Sequence, residues 1–289
     1  TNYREMLEKE NVDIVSICTW PGSHAEVTVA AAENGVSGVL CEKPMSTNLG
    51  EADTMIEACE KSGTKLAIGH HHRFDLANVE ARKLVKEGAI GKPRMVTVQV
   101  RNGLLNNGTH AIDWVRCVLG EPRTLWVIGQ VERKTDRYER RNPIEDRCMG
   151  LVYFENDVRF LIESDLPNPM PGMVTCYGTE GTLGIGRTYV MLLNYNRTGF
   201  KKLEFPPVDQ YNAELAELIS WMEGKTEHRG AARLARDTME IMMAIYESLR
   251  IKGVVYMPLK TKESPLESMI KDGTLPVLIP GKYDVRVPF

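Results

Sequence analysis

Val36-Ser-Gly-Val-Leu-Cys41-Glu42-Lys43-Pro44 is the stretch on which the fold of this chain turns. Its first six residues form a short apolar run, the pattern of a parallel strand buried on both faces. A charged pair follows at the carboxyl end of that strand, where open α/β sheets hold their ligands. Lys43 can place a cation and a hydrogen-bond donor in the cleft, and Pro44 removes a backbone donor and stiffens the turn. The bland alternative is a strand end with a solvated Glu–Lys pair. A lone tripeptide does not decide between the two; its neighbours do.

Upstream, Val12-Asp-Ile-Val-Ser-Ile-Cys18 reads as a second buried strand. A helix is expected from about Ser23 to Asn34, closed by Gly35. Downstream, Asn48 and Glu51 have capping-box spacing and open a helix that runs to about Ser62. Lys65–Gly69 is a short strand, and a helix follows from about Leu76 to Glu87. Strand–helix alternation with short connections argues for a parallel sheet. After Gly91-Lys-Pro93 the pattern changes. Arg94–Val100 alternates like a half-exposed strand, and residues 109–119 carry one apolar helical face. Strands are expected at about 124–133, 147–155, 157–165, 173–178, 182–185 and 188–194, with a hairpin turn at Asn156-Asp157. Residues 211–224 and 231–251 read as amphipathic helices. Residues 253–289 hold five of the fifteen prolines and read as an extended arm. The sequence thus divides into an α/β part, 1–92, and an α+β part, 93–289, built on a large, mostly antiparallel sheet.

Composition narrows the function. At 289 residues with 43% hydrophobic and 26% charged, the chain has the balance of a globular protein with a sizeable core. A net charge of −3 gives no reason to expect nucleic acid or an anionic membrane as partner. No apolar run approaches the ~20 residues of a membrane helix. The six cysteines are scattered without a C-x-x-C pair, which suits reduced thiols in a cytoplasmic protein.

Several residues carry chemistry. His110, in Asn106-Asn-Gly-Thr-His110-Ala-Ile-Asp113, follows a loop marked by glycine and asparagines. With Thr109 as N-cap it would sit in a first helical turn, whose dipole lowers an imidazole's pKa. A neutral imidazole can act as general base. Asp113 at i+3 is its expected partner. The alternative is a histidine that only fills a helix start. His70-His-His72 is expected not to bind metal, because consecutive residues on a strand point to opposite faces. Arg73 would offer a planar donor fork at the same sheet edge. Thr19-Trp20-Pro-Gly-Ser-His24 places an aromatic face beside a helix start, suited to a flat ring or a phosphate. The sequence has no G-x-G-x-x-G. The glycine-rich run Gly178–Gly186 lies between expected antiparallel strands and reads as hairpin chemistry.

Taken in order, these elements resemble the glucose–fructose oxidoreductase / inositol dehydrogenase (Gfo/Idh/MocA) family. Asp13–Thr19 with His24 resembles its strand and T-P-x-x-x-H element, with Trp20 in place of the usual proline. Cys41-Glu-Lys-Pro44 matches E-K-P. Arg73-Phe74 and Ile90-Gly-Lys-Pro93 match the elements that close the first domain. Asn106–Asp113 resembles D-x-G-x-H-x-x-D, and Glu145-Asp146 and Tyr177–Thr182 fit later elements.

The resemblance implies a Rossmann domain with NAD or NADP as cofactor, and a second domain whose open sheet packs on other subunits in a homo-oligomer, a dimer or tetramer. It implies a sugar or polyol substrate. Lys43 and His110 would be catalytic, with Asn106 orienting the imidazole. Thr19, Trp20, His24, Glu42 and Lys43 would bind cofactor, and Arg73, Asn107 and Asp113 substrate. Two departures stand out. Asn106 replaces the usual Asp, which predicts a weaker base. The family's glycine loop precedes the region where this chain begins, so a βαβα segment of about sixty residues is expected before Thr1. Without it this polypeptide is not expected to bind NAD(P) normally. Two other functions fit the same residues. One is a family member that keeps a resident NAD for glycoside cleavage or aldose oxidoreduction, and the other is a non-catalytic nucleotide-binding regulator.

Overall fold

The computed structural model describes residues 2–166, 174–196 and 199–284. The start of the strand expected from 173 and the end of the expected C-terminal arm, 285–289, lie outside them. The helices are α1 (Tyr3–Lys9), α2 (Pro21–Glu33), α3 (Leu49–Ser62), α4 (Leu76–Lys86), α5 (Thr109–Leu119), α6 (Gln210–Met222), α7 (Ala232–Ile251) and α8 (Pro265–Lys271). The first strands are β1 (Ile14–Ile17), β2 (Gly38–Cys41), β3 (Lys65–Ile68), β4 (Pro93–Val100), β5 (Thr124–Glu132), β6 (Thr135–Glu139), β7 (Asn142–Pro143) and β8 (Arg147–Phe154). They are followed by β9 (Arg159–Ser164), β10 (Val174–Gly178), β11 (Gly181–Ile185), β12 (Tyr189–Asn194), β13 (Lys201–Glu204), β14 (Val255–Tyr256) and β15 (Ile279–Asp284).

Among the described residues, β1, β2 and β3 form a parallel sheet in that order, the Rossmann-like element expected from the buried apolar runs. Helix α3 starts with the expected N-cap: Asn48 Oδ1 accepts from Glu51 N at 2.9 Å, while the Glu51 carboxylate reaches one residue beyond the capping-box partner and accepts from Thr47 N at 3.0 Å. It ends at Gly63, whose φ of 81° a residue with a Cβ would adopt only under strain.

The second sheet has nine strands in the order β13-β12-β11-β10-β4-β9-β8-β5-β14. Every pair is antiparallel except β4–β9, so the expected large open sheet is mixed. Its inner face packs on α5 and α7 through Val127, Val152, Phe160 and Ile162, all buried. Helix α7 can lie this close because β5 and β8 present Gly129 and Gly150, where an added Cβ would collide with Ile245. The outer face carries Ile128 and Met149, 42% and 46% exposed.

The parallel sheet and the nine-stranded sheet fall on either side of residue 92, with β15, β6 and β7 in a third sheet, but the chain crosses back. Ala232 and Ala235 of α7 belong to the core around β1–β3, and a Cβ at Gly38 would meet Met222 of α6. The region after 253 is not a plain extended arm. It contains β14, β15 and α8, which Ser264 caps by accepting from Glu267 N.

Glu214 is a cost built into this return. The side chain is buried on α6, its Oε1 has no hydrogen-bond partner, and burial, with Glu42, Asp113 and Glu217 nearby, pushes its pKa up to about 8. A carboxyl raised on folding keeps a proton that the unfolded chain releases above its ordinary pKa. Its stabilising contribution is therefore full below about 4.5 and is lost as pH rises through about 8. Glu214→Gln is expected to raise the Tm by about 3 °C or more at pH 8.5, and by much less at pH 5. Melting curves at the two pH values check this; an equal shift at both would contradict it.

Candidate active site

β1 and β2 end side by side, and the residues that follow them form one wall of a cavity of about 740 Å³. Cys18, Thr19 and Trp20 come from the end of β1, and Glu42 and Lys43 from the end of β2. The rest of the lining is made by His71, His72, Asn107, His110, Arg140, Arg187 and Tyr211. Lys43 and His110 thus meet at one cavity, although 67 positions separate them in the chain.

Lys43 is set by its neighbours. The Lys43–Pro44 peptide is cis, and Lys43 Nζ donates to the backbone carbonyl and to Oδ1 of Asn106, both at 3.0 Å. His24 stands behind the turn, fully buried. Its ring nitrogens lie 3.0 Å from the Pro44 carbonyl and 3.1 Å from the Thr19 carbonyl. It ties the ends of β1 and β2 together and does not line the cavity.

His110 arrives by a route the sequence reading missed. The loop before it is a π turn, Leu104–Gly108, running straight into α5 with Gly108 as N-cap. Thr109 is therefore a helical residue, and its hydroxyl pairs with His70 Nε2 at 3.0 Å. Buried Glu145 anchors the turn by accepting from Leu104 N at 2.6 Å and from the Tyr246 hydroxyl at 2.7 Å. The pKa of His110 is indeed low, but for a different reason. Burial comes first, followed by the Lys43 ammonium and the imidazoles of His72, His70 and His71. A neutral imidazole and the Lys43 cation thus line the same cavity.

Four expectations need correction. Asn106 is buried and holds Lys43 rather than His110. Asp113 pairs with Arg73, which donates to it from Nε at 2.8 Å and from Nη2 at 2.6 Å, not with His110. Arg73 and Asp113 are 2% and 1% exposed and absent from the cavity wall, because α5 closes over the sheet edge where a donor fork was expected. The histidine run is not on a strand. β3 stops at Ile68, and His71–Phe74 form a 3-10 turn that brings His71 and His72 together with His110. The geometric reason for excluding a metal therefore lapses. Arg140, Arg187 and Tyr211 come from loops and a helix start with no sequence pattern to announce them.

Comparison with known proteins agrees with this fold. The model of the oxidoreductase family with an NAD-binding Rossmann fold (Gfo/Idh/MocA) matches residues 1–70, and that of the Gfo/Idh/MocA C-terminal domain matches 101–184. The chain belongs to the Gfo/Idh/MocA family. Among its relatives, myo-inositol 2-dehydrogenase of Thermotoga maritima is 33% identical over 131 residues, 40% of this chain and 39% of that protein. The NAD(+)-dependent scyllo-inositol 2-dehydrogenase of Bacillus subtilis is 35% identical over 198 residues, 63% of this chain and 57% of that protein. The chain thus spans less than two thirds of either relative. An oxidoreductase domain protein from Kribbella flavida shares the fold, with a TM-score of 0.77 at 22% identity, covering 90% of this chain and 84% of that one.

Proposed function

We propose that this Gfo/Idh/MocA protein is an NAD(P)-dependent oxidoreductase that moves hydride between nicotinamide and a hydroxyl-bearing carbon of a sugar, sugar derivative or cyclitol. The observation that carries the reading is the convergence of the Lys43 ammonium and the neutral His110 imidazole on one cavity. The cofactor fits the wall that also carries Lys43. Thr19, Trp20 and Glu42 stand at the carboxyl ends of two parallel strands, beside the first turn of α2, where a flat ring can lie next to Lys43. When bound, the cofactor supplies the hydride acceptor.

The protein's residues supply the rest. Lys43 donates a hydrogen bond to the substrate hydroxyl and favours negative charge on that oxygen. His110 takes the hydroxyl proton, and Asn106 keeps the ammonium in place. Asn107, with Arg140, Arg187 and Tyr211, offers donors for neighbouring hydroxyls. His24 acts from behind by holding the strand ends. The apolar outer face of the nine-stranded sheet, with Ile128 and Met149, supports assembly as a homo-oligomer. Among the described residues no helix is long and apolar enough to cross a membrane.

The test is a panel of cyclitols, aldoses and anhydro sugars, assayed with the full-length protein and each nicotinamide cofactor by absorbance of the reduced ring. At least one polyol is expected to turn over with saturation. Tight cofactor binding with no turnover across the panel would overturn the dehydrogenase reading in favour of a nucleotide-binding regulator.

A further inference from the structure

We infer that the substrate is an anionic sugar or cyclitol derivative, and that Arg101 and Arg187 receive its carboxylate or phosphate in a second pocket beside the reacting hydroxyl. The inference rests on the dehydrogenase reading above and narrows its substrate class. The second pocket has a volume of about 310 Å³. It adjoins the large cavity, because His72, Asn107, His110 and Arg187 line both. A substrate whose hydroxyl is held at His110 therefore has room to extend into it. Val98, Val100 and Trp114 give the pocket an apolar side against which the C–H face of a sugar can lie. The two arginines arrive at it from one sheet edge. β10 is antiparallel to both β4 and β11, so the carboxyl ends of β4 and β11 lie on the same side. Arg101 directly follows β4, and Arg187 stands just after β11.

The charge of the lining decides the ligand class. Lys43, Arg101, Arg140 and Arg187 line the two cavities, against the single carboxylate of Glu42. The chain as a whole carries −3, so this excess is local. In the second pocket the imbalance is complete among the described residues, with two guanidiniums and no carboxylate. Neither Arg101 nor Arg187 has a hydrogen bond or ion pair with a described residue. Arg187 acts inward all the same. After burial and His72, it is the next influence that lowers the His71 pKa, to about 4. Two like charges on one pocket raise its potential until an anion offsets them, and the guanidinium fork matches a carboxylate or a phosphate. A neutral polyol needs no such pair, since amides and hydroxyls satisfy its oxygens. The cofactor is not the anion in question. Thr19, Trp20, Glu42 and Lys43, the residues assigned to it at the ends of β1 and β2, line the large cavity and are absent from the second pocket.

The full-length protein with reduced cofactor bound is titrated by calorimetry with methyl glucosides and methyl galactosides, their uronates and their 6-phosphates. These compounds have no free carbonyl, so reduced cofactor cannot turn them over and the readout is binding alone. At least one uronate or 6-phosphate is expected to bind about 10-fold or more tightly than its neutral parent. Which of the two anions gains more separates carboxylate from phosphate. Both arginines are exposed, so the preference is expected to shrink at least about threefold as salt rises from about 0.05 to 0.5 M. Arg101→Gln and Arg187→Gln are each expected to cut it at least about fivefold, and Arg187→Lys, which keeps the charge and loses the fork, by less. Circular dichroism confirms that each variant is folded. The proposal is overturned if no anionic compound binds more tightly than its parent, or if the folded Arg101→Gln and Arg187→Gln proteins keep the full preference. Turnover of neutral polyols without any anion preference would sink this pocket alone. Anion preference without turnover of any sugar would sink the dehydrogenase reading alone.

Discussion

Lys43→Met is expected to lower kcat/KM about 10²–10³-fold on whichever polyol the substrate panel identifies. Lys43 is fixed on one side by two 3.0 Å hydrogen bonds to Asn106 and faces the cavity that His110 also lines. As His110 takes the proton, negative charge grows on the substrate oxygen, and a preplaced ammonium stabilises it without reorganisation. Water cannot replace that interaction from within a largely buried wall. His110→Ala removes the acceptor and is expected to cost about 10²–10⁴. Both groups act on one oxygen, so the double variant is expected to lose little more than the worse single one. Steady-state kinetics of the three variants checks this. Turnover of Lys43→Met within about fivefold of wild type would end its assigned role, and full additivity would place the two residues at separate oxygens.

The sequence carried the parts of this site that depend on local pattern. The apolar run ending at Cys41 and the proline after Lys43 announce a strand whose end opens into a cleft, and the structure puts Lys43 there. The Asn48–Glu51 signature is local chemistry, and α3 begins where it says. A similar signal at Ser264-Pro265-Leu-Glu267, set among prolines that suggest extended chain, caps α8. What was not legible depends on tertiary contact. The short apolar run of β3 gives no hint that the chain turns into a 3-10 coil at His71 and so gathers three imidazoles. The partner of Asp113 lies 40 positions away, and i+3 spacing suggested the wrong one. Arg187 reaches the cavity from the short link between β11 and β12, which no periodicity marks.

Arg73→Met is expected to destabilise the fold by about 3–5 kcal/mol, because it takes the bidentate partner from a buried carboxylate. Arg73 donates twice to Asp113, once to Glu121 at 2.7 Å and once to the Arg229 carbonyl at 2.8 Å. It thereby pins the 3-10 turn to α5 and to the segment before α7. Burial is the largest influence on Asp113 and would raise its pKa, but Arg73, His70 and Arg116 together hold the carboxyl below its usual range. Without Arg73 only His70 and Arg116 oppose the effect of burial. The carboxyl then ionises only at a cost, so the defect should deepen as pH rises from 5 to 8. Arg73→Met/Asp113→Leu removes both charges and is expected to regain at least half of the loss. Denaturant melts of the two variants at both pH values decide the matter. A single-variant cost under about 1 kcal/mol, or a double variant no more stable than the single, would show that the pair does not act as a unit. Because the same turn carries His71 and His72, and α5 carries His110, loosening this pair should also blur the active-site wall. Any folded Arg73→Met protein is then expected to show a raised KM before a lowered kcat.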